Sequence, residues 1–294
     1  MRDARHPRTR RLGRPRLPRF DLRRAMFVLP NLFTVSSIFC GFYAMVLASG
    51  APGPEQFRSA AWAVFFGIFF DMADGRVARL TKTQSDFGIQ LDSLADVITF
   101  GAAPAVIVHK WGLARLGFVG ALAAFTYVAC GAMRLARFNV LAQRGPGAKK
   151  FFVGLPIPLA AGLLVSLVMF HQVTYAAQVV REINILVLIL VVSYLMVSNI
   201  RYRSFKDLKP SAKSLTLGLA VIAAFTLVAA RYEPSFALLA LFSAYVALGL
   251  VEEVVRFARR RDVPATAGAT AGGPKPPDPG AEPAPNEPKP EVRR

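Results

Sequence analysis

Apolar residues in this chain come in long blocks with short polar connections between them, not in the half-apolar periodicity of a soluble helix. Eight such blocks fall at approximately 26–49, 58–80, 88–109, 114–138, 155–178, 183–201, 213–231 and 234–257. Each is long enough to cross about 30 Å of hydrocarbon at about 1.5 Å per residue. In lipid, a helix satisfies its own backbone hydrogen bonds, so the pattern predicts an all-α integral membrane protein with eight transmembrane helices over residues 26–257. Residues 1–25 make an arginine-rich arm broken by Pro7, Pro15 and Pro18. The tail, residues 258–294, is rich in Pro, Ala, Gly and Glu from Asp262 onward and is expected to be disordered. There is no internal repeat, and the connections are too short for a soluble domain.

Charge supplies the orientation. The formal net charge is +18, a balance that can mean nucleic acid, but here the basic residues lie between and beyond the apolar blocks. With the N-terminus inside and eight spans, the 36 lysines and arginines all fall on the inner side except Arg58, Lys110, Arg115, Arg181 and Arg231. Both termini are therefore expected in the cytoplasm, with the basic arm resting on anionic lipid and no nucleic-acid partner. The first block runs past the length of a signal peptide and reads as an uncleaved anchor. Cys40 and Cys130 lie inside apolar blocks as small hydrophobes, and His6, His109 and His171 form no metal-ligand spacing.

The second block is apolar from Ala60 to Phe70 and then turns acidic, with Asp71, Asp74, Gly75, Arg76, Ala78 and Arg79. The third opens with Gly88, Asp92 and Asp96. Asp71 and Asp74 are three residues apart and Asp92 and Asp96 four, so each pair shares one face of its helix. Counting along each span at about 1.5 Å per residue puts all four at one depth, in the cytoplasmic half of the bilayer. Four carboxylates there repel one another and are costly to desolvate. Two divalent cations relieve both problems, and oxygen-only ligands suit Mg²⁺ or Mn²⁺. Such a pair can clamp a pyrophosphate for in-line displacement. Gly75 and Gly88 leave room for a nucleotide against the backbone, and Arg79 offers a fork for phosphate oxygens.

The run Asp71-x2-Asp74-Gly75-x2-Ala78-Arg79-x8-Gly88-x3-Asp92-x3-Asp96 resembles the signature of the CDP-alcohol phosphotransferases. The resemblance implies that Asp71, Asp74 and Asp92 ligate two divalent ions, with Asp96 completing the site and serving as general base. It also implies that Asp74, Gly75, Ala78, Arg79 and Gly88 form the CDP pocket, and it favours a homodimer. Beyond the signature, the chain is similar to the bacterial membrane-bound phosphatidylserine synthases. The similar stretches are Pro30-Asn31-Leu-Phe-Thr34, Gly131-Ala-Met-Arg134-Leu-Ala-Arg137-Phe-Asn139, Gly154-Leu-Pro156-Ile-Pro158 and Met196-Val-Ser198-Asn-Ile-Arg201-Tyr-Arg203-Ser204-Phe205-Lys206. That likeness implies transfer of a phosphatidyl group from CDP-diacylglycerol to L-serine at the inner membrane of a bacterium, with the site facing the cytoplasm.

Contacts to the acceptor or to the lipid phosphate are expected from Asn31, Arg134, Arg137 and Arg201. A guanidinium fork suits a serine carboxylate; Arg134 and Arg137 equally suit the lipid phosphate or simple positive-inside bias. Arg201, with Arg203 and Lys206, fits the cytidine diphosphate, acidic lipid heads or a purely topological role. Pro156 and Pro158 either open a cavity wall or mark a helix start. Sister enzymes acting on glycerol 3-phosphate, inositol phosphate or choline would share the acidic site. A transporter would instead place acids near the midplane with a mirrored second half, and this sequence gathers them in one hairpin.

Overall fold

The computed structural model describes residues 22–50, 53–81, 85–143, 152–175, 182–202 and 233–261. Over these the chain is helical: α1 (Leu22–Ser49), α2 (Pro54–Thr81), α3 (Asp86–Asp96), α4 (Ala103–Val108), α5 (Phe118–Gln143), α6 (Ile157–Tyr175), α7 (Glu182–Val197) and α8 (Pro234–Arg261). Two short strands, β1 (Phe152–Val153) and β2 (Arg201–Tyr202), pair antiparallel. Among the described residues, five stretches are long and apolar enough to cross a bilayer: Leu29–Ser49, Asp86–Leu116, Phe118–Leu141, Ile157–Tyr175 and Pro234–Val255. Helix α7 is apolar but shorter, and the apolar run of α2 is bounded by Arg58 and Asp71. Apart from that short strand pair, the described residues are helical, as in an integral membrane protein. The predicted block 213–231, the arm before Leu22 and the tail from Asp262 lie outside the described residues.

Helices α1 and α2 pack along small residues. Ala44 and Ala48 on α1 and Ala60, Ala61 and Val64 on α2 belong to one buried cluster, where the lack of bulk lets backbones approach. The most enclosed of the five long helices is α6, with Ala160, Ala161, Leu164, Val165 and Val168 in the core. Its start resolves the Pro156 question: the Pro156 carbonyl accepts from the amides of Leu159 (3.1 Å) and Ala160 (3.0 Å), so the prolines begin the helix. On α8, Phe242 stacks on Phe65 with ring centroids 6.0 Å apart. The compact unit that holds the site ends at Glu253.

The third helix runs further than its apolar pattern predicts. From Asp86 it continues through π-helical turns at Val97–Ala102 and His109–Leu113 and a 3₁₀ turn at Ala114–Leu116. Burial of Trp111 and Leu113 keeps the Lys110 region helical, and the chain reverses at Gly117, whose φ of 54° suits glycine. The sixth predicted block ends early for a tertiary reason. After Val197 the chain turns into β2, which pairs with β1, and Gly154 at φ 83° lies against the Met196 carbonyl where any Cβ would collide.

Candidate active site

The acidic residues arrive from two helices. Asp71 and Asp74 lie on α2, and Asp92 and Asp96 on α3, which Ser85 starts by accepting the Gly88 amide at 3.0 Å. Oxygens of Asp71, Asp74 and Asp92 all lie within 4.8 Å of one another. Asp96 lies close enough to Asp71 for the two carboxyls to interact. Three of the four predicted acids therefore gather, and Asp96 lies near Asp71 and Asp92. Helix α1 adds a residue that the site prediction omits: Thr34 Oγ1 donates to Asp74 Oδ2 at 2.8 Å and also lies 3.2 Å from the Pro30 carbonyl. A polar Thr one turn after a proline, inside an apolar helix, is the signal that could have revealed it.

A cavity of about 180 Å³ opens beside the cluster. Its walls are Pro30, Asn31 and Thr34 from α1, Asp74, Gly75, Ala78 and Arg79 from α2, and Ser85, Gly88, Ile89 and Asp92 around the start of α3. Every residue expected to shape the CDP pocket lines this space. A Cβ on Gly75 would meet only the Arg79 guanidinium, at 3.9 Å, so the backbone there is open to a ligand. A Cβ on Gly88 would sit 3.2 Å from Ser85 Oγ and 3.6 Å from Asn31 Oδ1.

The four residues expected around the acceptor do not gather at one point. Asn31 lies in the cavity wall. Arg134, only 8% exposed, lies near enough to Asp96 for their charges to interact. Arg137 donates to Asn199 Oδ1 at 2.8 Å, tying α5 to the end of α7. Arg201 belongs to β2, and its side chain lies outside the described residues. Nearby, Asn139 donates to Ser93 Oγ at 2.9 Å and joins α5 to the acidic helix.

The donor set fits divalent metal. It is all carboxylate oxygen, and its span can be bridged by a hard cation with ligands at about 2.0–2.6 Å. Asp96 Oδ1 is buried without a hydrogen-bond partner, an arrangement that costs free energy unless something else satisfies the oxygen. Arg134 Nε is also buried and unpartnered, on the side of Asp96.

A membrane helix pair that carries four acids, beside a glycine-edged cavity, is the arrangement expected for transfer of a lipid phosphate. The CDP-alcohol phosphatidyltransferase family matches residues 27–200, and the chain belongs to that family. Among its relatives, a CDP-diacylglycerol–serine O-phosphatidyltransferase of Helicobacter pylori is 42% identical over 194 residues, 66% of this chain and 79% of that protein. The protein of the same name from Bacillus subtilis is 36% identical over 193 residues, 66% of this chain and 98% of the relative. An archaetidylserine synthase of Methanothermobacter thermautotrophicus is 32% identical over 180 residues, 60% of this chain and 70% of its own.

Proposed function

We propose that this protein transfers the phosphatidyl group of CDP-diacylglycerol to the hydroxyl of L-serine, giving phosphatidylserine and CMP. The observation that carries the reaction class is the Asp71, Asp74 and Asp92 cluster beside the cavity that Gly75, Ala78, Arg79 and Gly88 line. The choice of serine is supported by the names of the bacterial relatives.

Asp71, Asp74, Asp92 and Asp96 would hold two divalent ions, Mg²⁺ or Mn²⁺, whose positive charge would neutralise the pyrophosphate and the leaving CMP. The chain's own residues do the rest. The open backbone at Gly75 and the Gly88 edge admit the nucleotide, and Arg79 meets its phosphate oxygens. Thr34 fixes the rotamer of Asp74. Asp96 takes the proton from the serine hydroxyl as that oxygen attacks the lipid-side phosphorus, and the bond from phosphorus to CMP breaks. Arg134, buried near Asp96, receives the serine carboxylate and holds the hydroxyl toward the base.

The protein works in the bacterial inner membrane with eight spans and both termini in the cytoplasm, so the site opens where CDP-lipid and serine are both available. The basic arm rests on anionic lipid, and the protein acts as a homodimer. Isotopically labelled L-serine, incubated with CDP-diacylglycerol and the purified protein, should appear in a lipid with the mass of phosphatidylserine. Label that stays in the aqueous phase while glycerol 3-phosphate or inositol phosphate enters lipid would overturn the serine assignment and keep the reaction class.

A further inference from the structure

Directly after Asp96 the chain leaves α-helical geometry for the π-helical turn Val97–Ala102, closed by a bond from the Ala103 amide back to the Ile98 carbonyl. The wider turn changes the phase of the helix next to the acids, a deviation common at functional sites. Two neighbours hold it. Tyr127 on α5, fully buried, donates to the Phe100 carbonyl at 3.0 Å. Thr99, also fully buried, donates to the Ser37 carbonyl on α1 at 2.9 Å. Ser37 Oγ in turn lies 3.2 Å from the Gly67 carbonyl on α2 and 3.4 Å from Thr99 Oγ1.

Thr99 also fills a slot between two backbones. A Cβ on Gly67 would lie 2.5 Å from Thr99 Cγ2, and one on Gly41 would lie 2.7 Å from Thr99 Cα. Three residues of this junction stand one turn from a part of the acid site. Ser37 follows Thr34 by three residues, Gly67 precedes Asp71 by four, and Thr99 follows Asp96 by three. Three helices are thus keyed to one another immediately beside the carboxylates.

We propose that Thr99 is a positioning residue for the carboxylate cluster. Wedged between Gly41 and Gly67 and bonded to Ser37, it sets the register of α3 against α1 and α2. That register decides how far the Asp92/Asp96 pair stands from the Asp71/Asp74 pair. The two pairs repel, so the spacing needs a restraint outside the carboxylates. A short hydrogen bond and a filled slot in a low-dielectric interior supply it.

The proposal rests on the metal reading of the cluster, and the test separates the two. Mn²⁺ is titrated into the purified full chain in detergent, with free ion followed by electron paramagnetic resonance and unfolding temperature measured alongside. Thr99→Val should raise the half-saturating Mn²⁺ concentration about tenfold, in the range seen when groups that orient metal ligands are lost. Gly67→Ala, whose new methyl strikes Thr99 Cγ2, should weaken Mn²⁺ binding too. Adding Thr99→Ser, which removes the struck methyl and keeps the hydroxyl, should restore it. A change in unfolding temperature without a change in Mn²⁺ binding, or failure of the double variant to recover, overturns the role of Thr99. Wild-type protein that binds no Mn²⁺ overturns the metal reading and this proposal with it.

Discussion

Thr34 on α1 donates its hydroxyl to Asp74 on α2 at 2.8 Å, and both side chains are buried. The bond takes up one oxygen of Asp74 and orients the other. It also joins the helix that lines the cavity to the helix that carries half of the acids. Asp74 is one of the three acids that gather within 4.8 Å, so its rotamer bears on where a cation would sit.

Thr34→Val keeps the shape and removes the donor. A hydrogen bond to a charged group is worth about 1.5–3 kcal/mol, so kcat/KM should fall roughly ten- to a hundredfold. Thr34→Ser should retain most of the activity. Steady-state kinetics on the two variants check this, and a loss in Thr34→Ser with none in Thr34→Val would show that the methyl, not the hydroxyl, carries the effect.

Gly75 and Gly154 should respond to alanine in opposite ways. At Gly75 a Cβ enters open space toward Arg79, so Gly75→Ala should fold normally, and a larger side chain there should raise the KM for CDP-diacylglycerol. At Gly154 the backbone has φ 83° and a Cβ collides with the Met196 carbonyl. Gly154→Ala should therefore lower the unfolding temperature sharply. Thermal unfolding in detergent, run beside the kinetics, distinguishes a site effect from a folding effect.

The helices and the acid pairs were legible in the sequence because both are local. Long apolar blocks give spans, and spacings of three and four put Asp71 with Asp74 and Asp92 with Asp96. The residues that the resemblance assigns to the CDP pocket all line one cavity beside the acids. What escaped depends on contacts between distant segments. Val97–Ala102 reads as ordinary apolar helix, and its π-turn is held by Ser37 and Tyr127 from other helices. The bond from Arg137 to Asn199, which ties α5 to the end of α7, joins residues too far apart in sequence to be read locally. The strand pairing of Phe152 with Tyr202 has no local pattern at all.

That difference between the two arginines has a kinetic consequence. Arg134 is buried near Asp96, whereas Arg137 is exposed and bonded to Asn199. Arg134→Lys should raise the KM for serine by about tenfold or more with little change in the KM for CDP-diacylglycerol, since a lysine cannot reproduce the fork. Arg137→Gln should leave the serine KM nearly unchanged. If Arg134→Lys moves only the lipid KM, the guanidinium serves the lipid phosphate.

An all-oxygen donor set predicts a strict need for hard divalent ions. Activity should disappear with a chelator and return with Mg²⁺ or Mn²⁺. Asp92→Asn, which removes one charge from the cluster, should raise the metal concentration required. Activity that persists through exhaustive chelation would contradict a metal-dependent site.

The most direct test of the central claim is CMP release from CDP-diacylglycerol by wild-type protein and Asp96→Asn, with and without L-serine. The account predicts serine-dependent CMP from the wild type in the presence of Mn²⁺ or Mg²⁺. It predicts a loss of about 10²–10⁴-fold in the variant, the usual contribution of a positioned base. Serine-dependent CMP release at an undiminished rate from Asp96→Asn would contradict the assignment of the base. No CMP from folded, metal-loaded wild type with any acceptor would contradict phosphatidyl transfer itself.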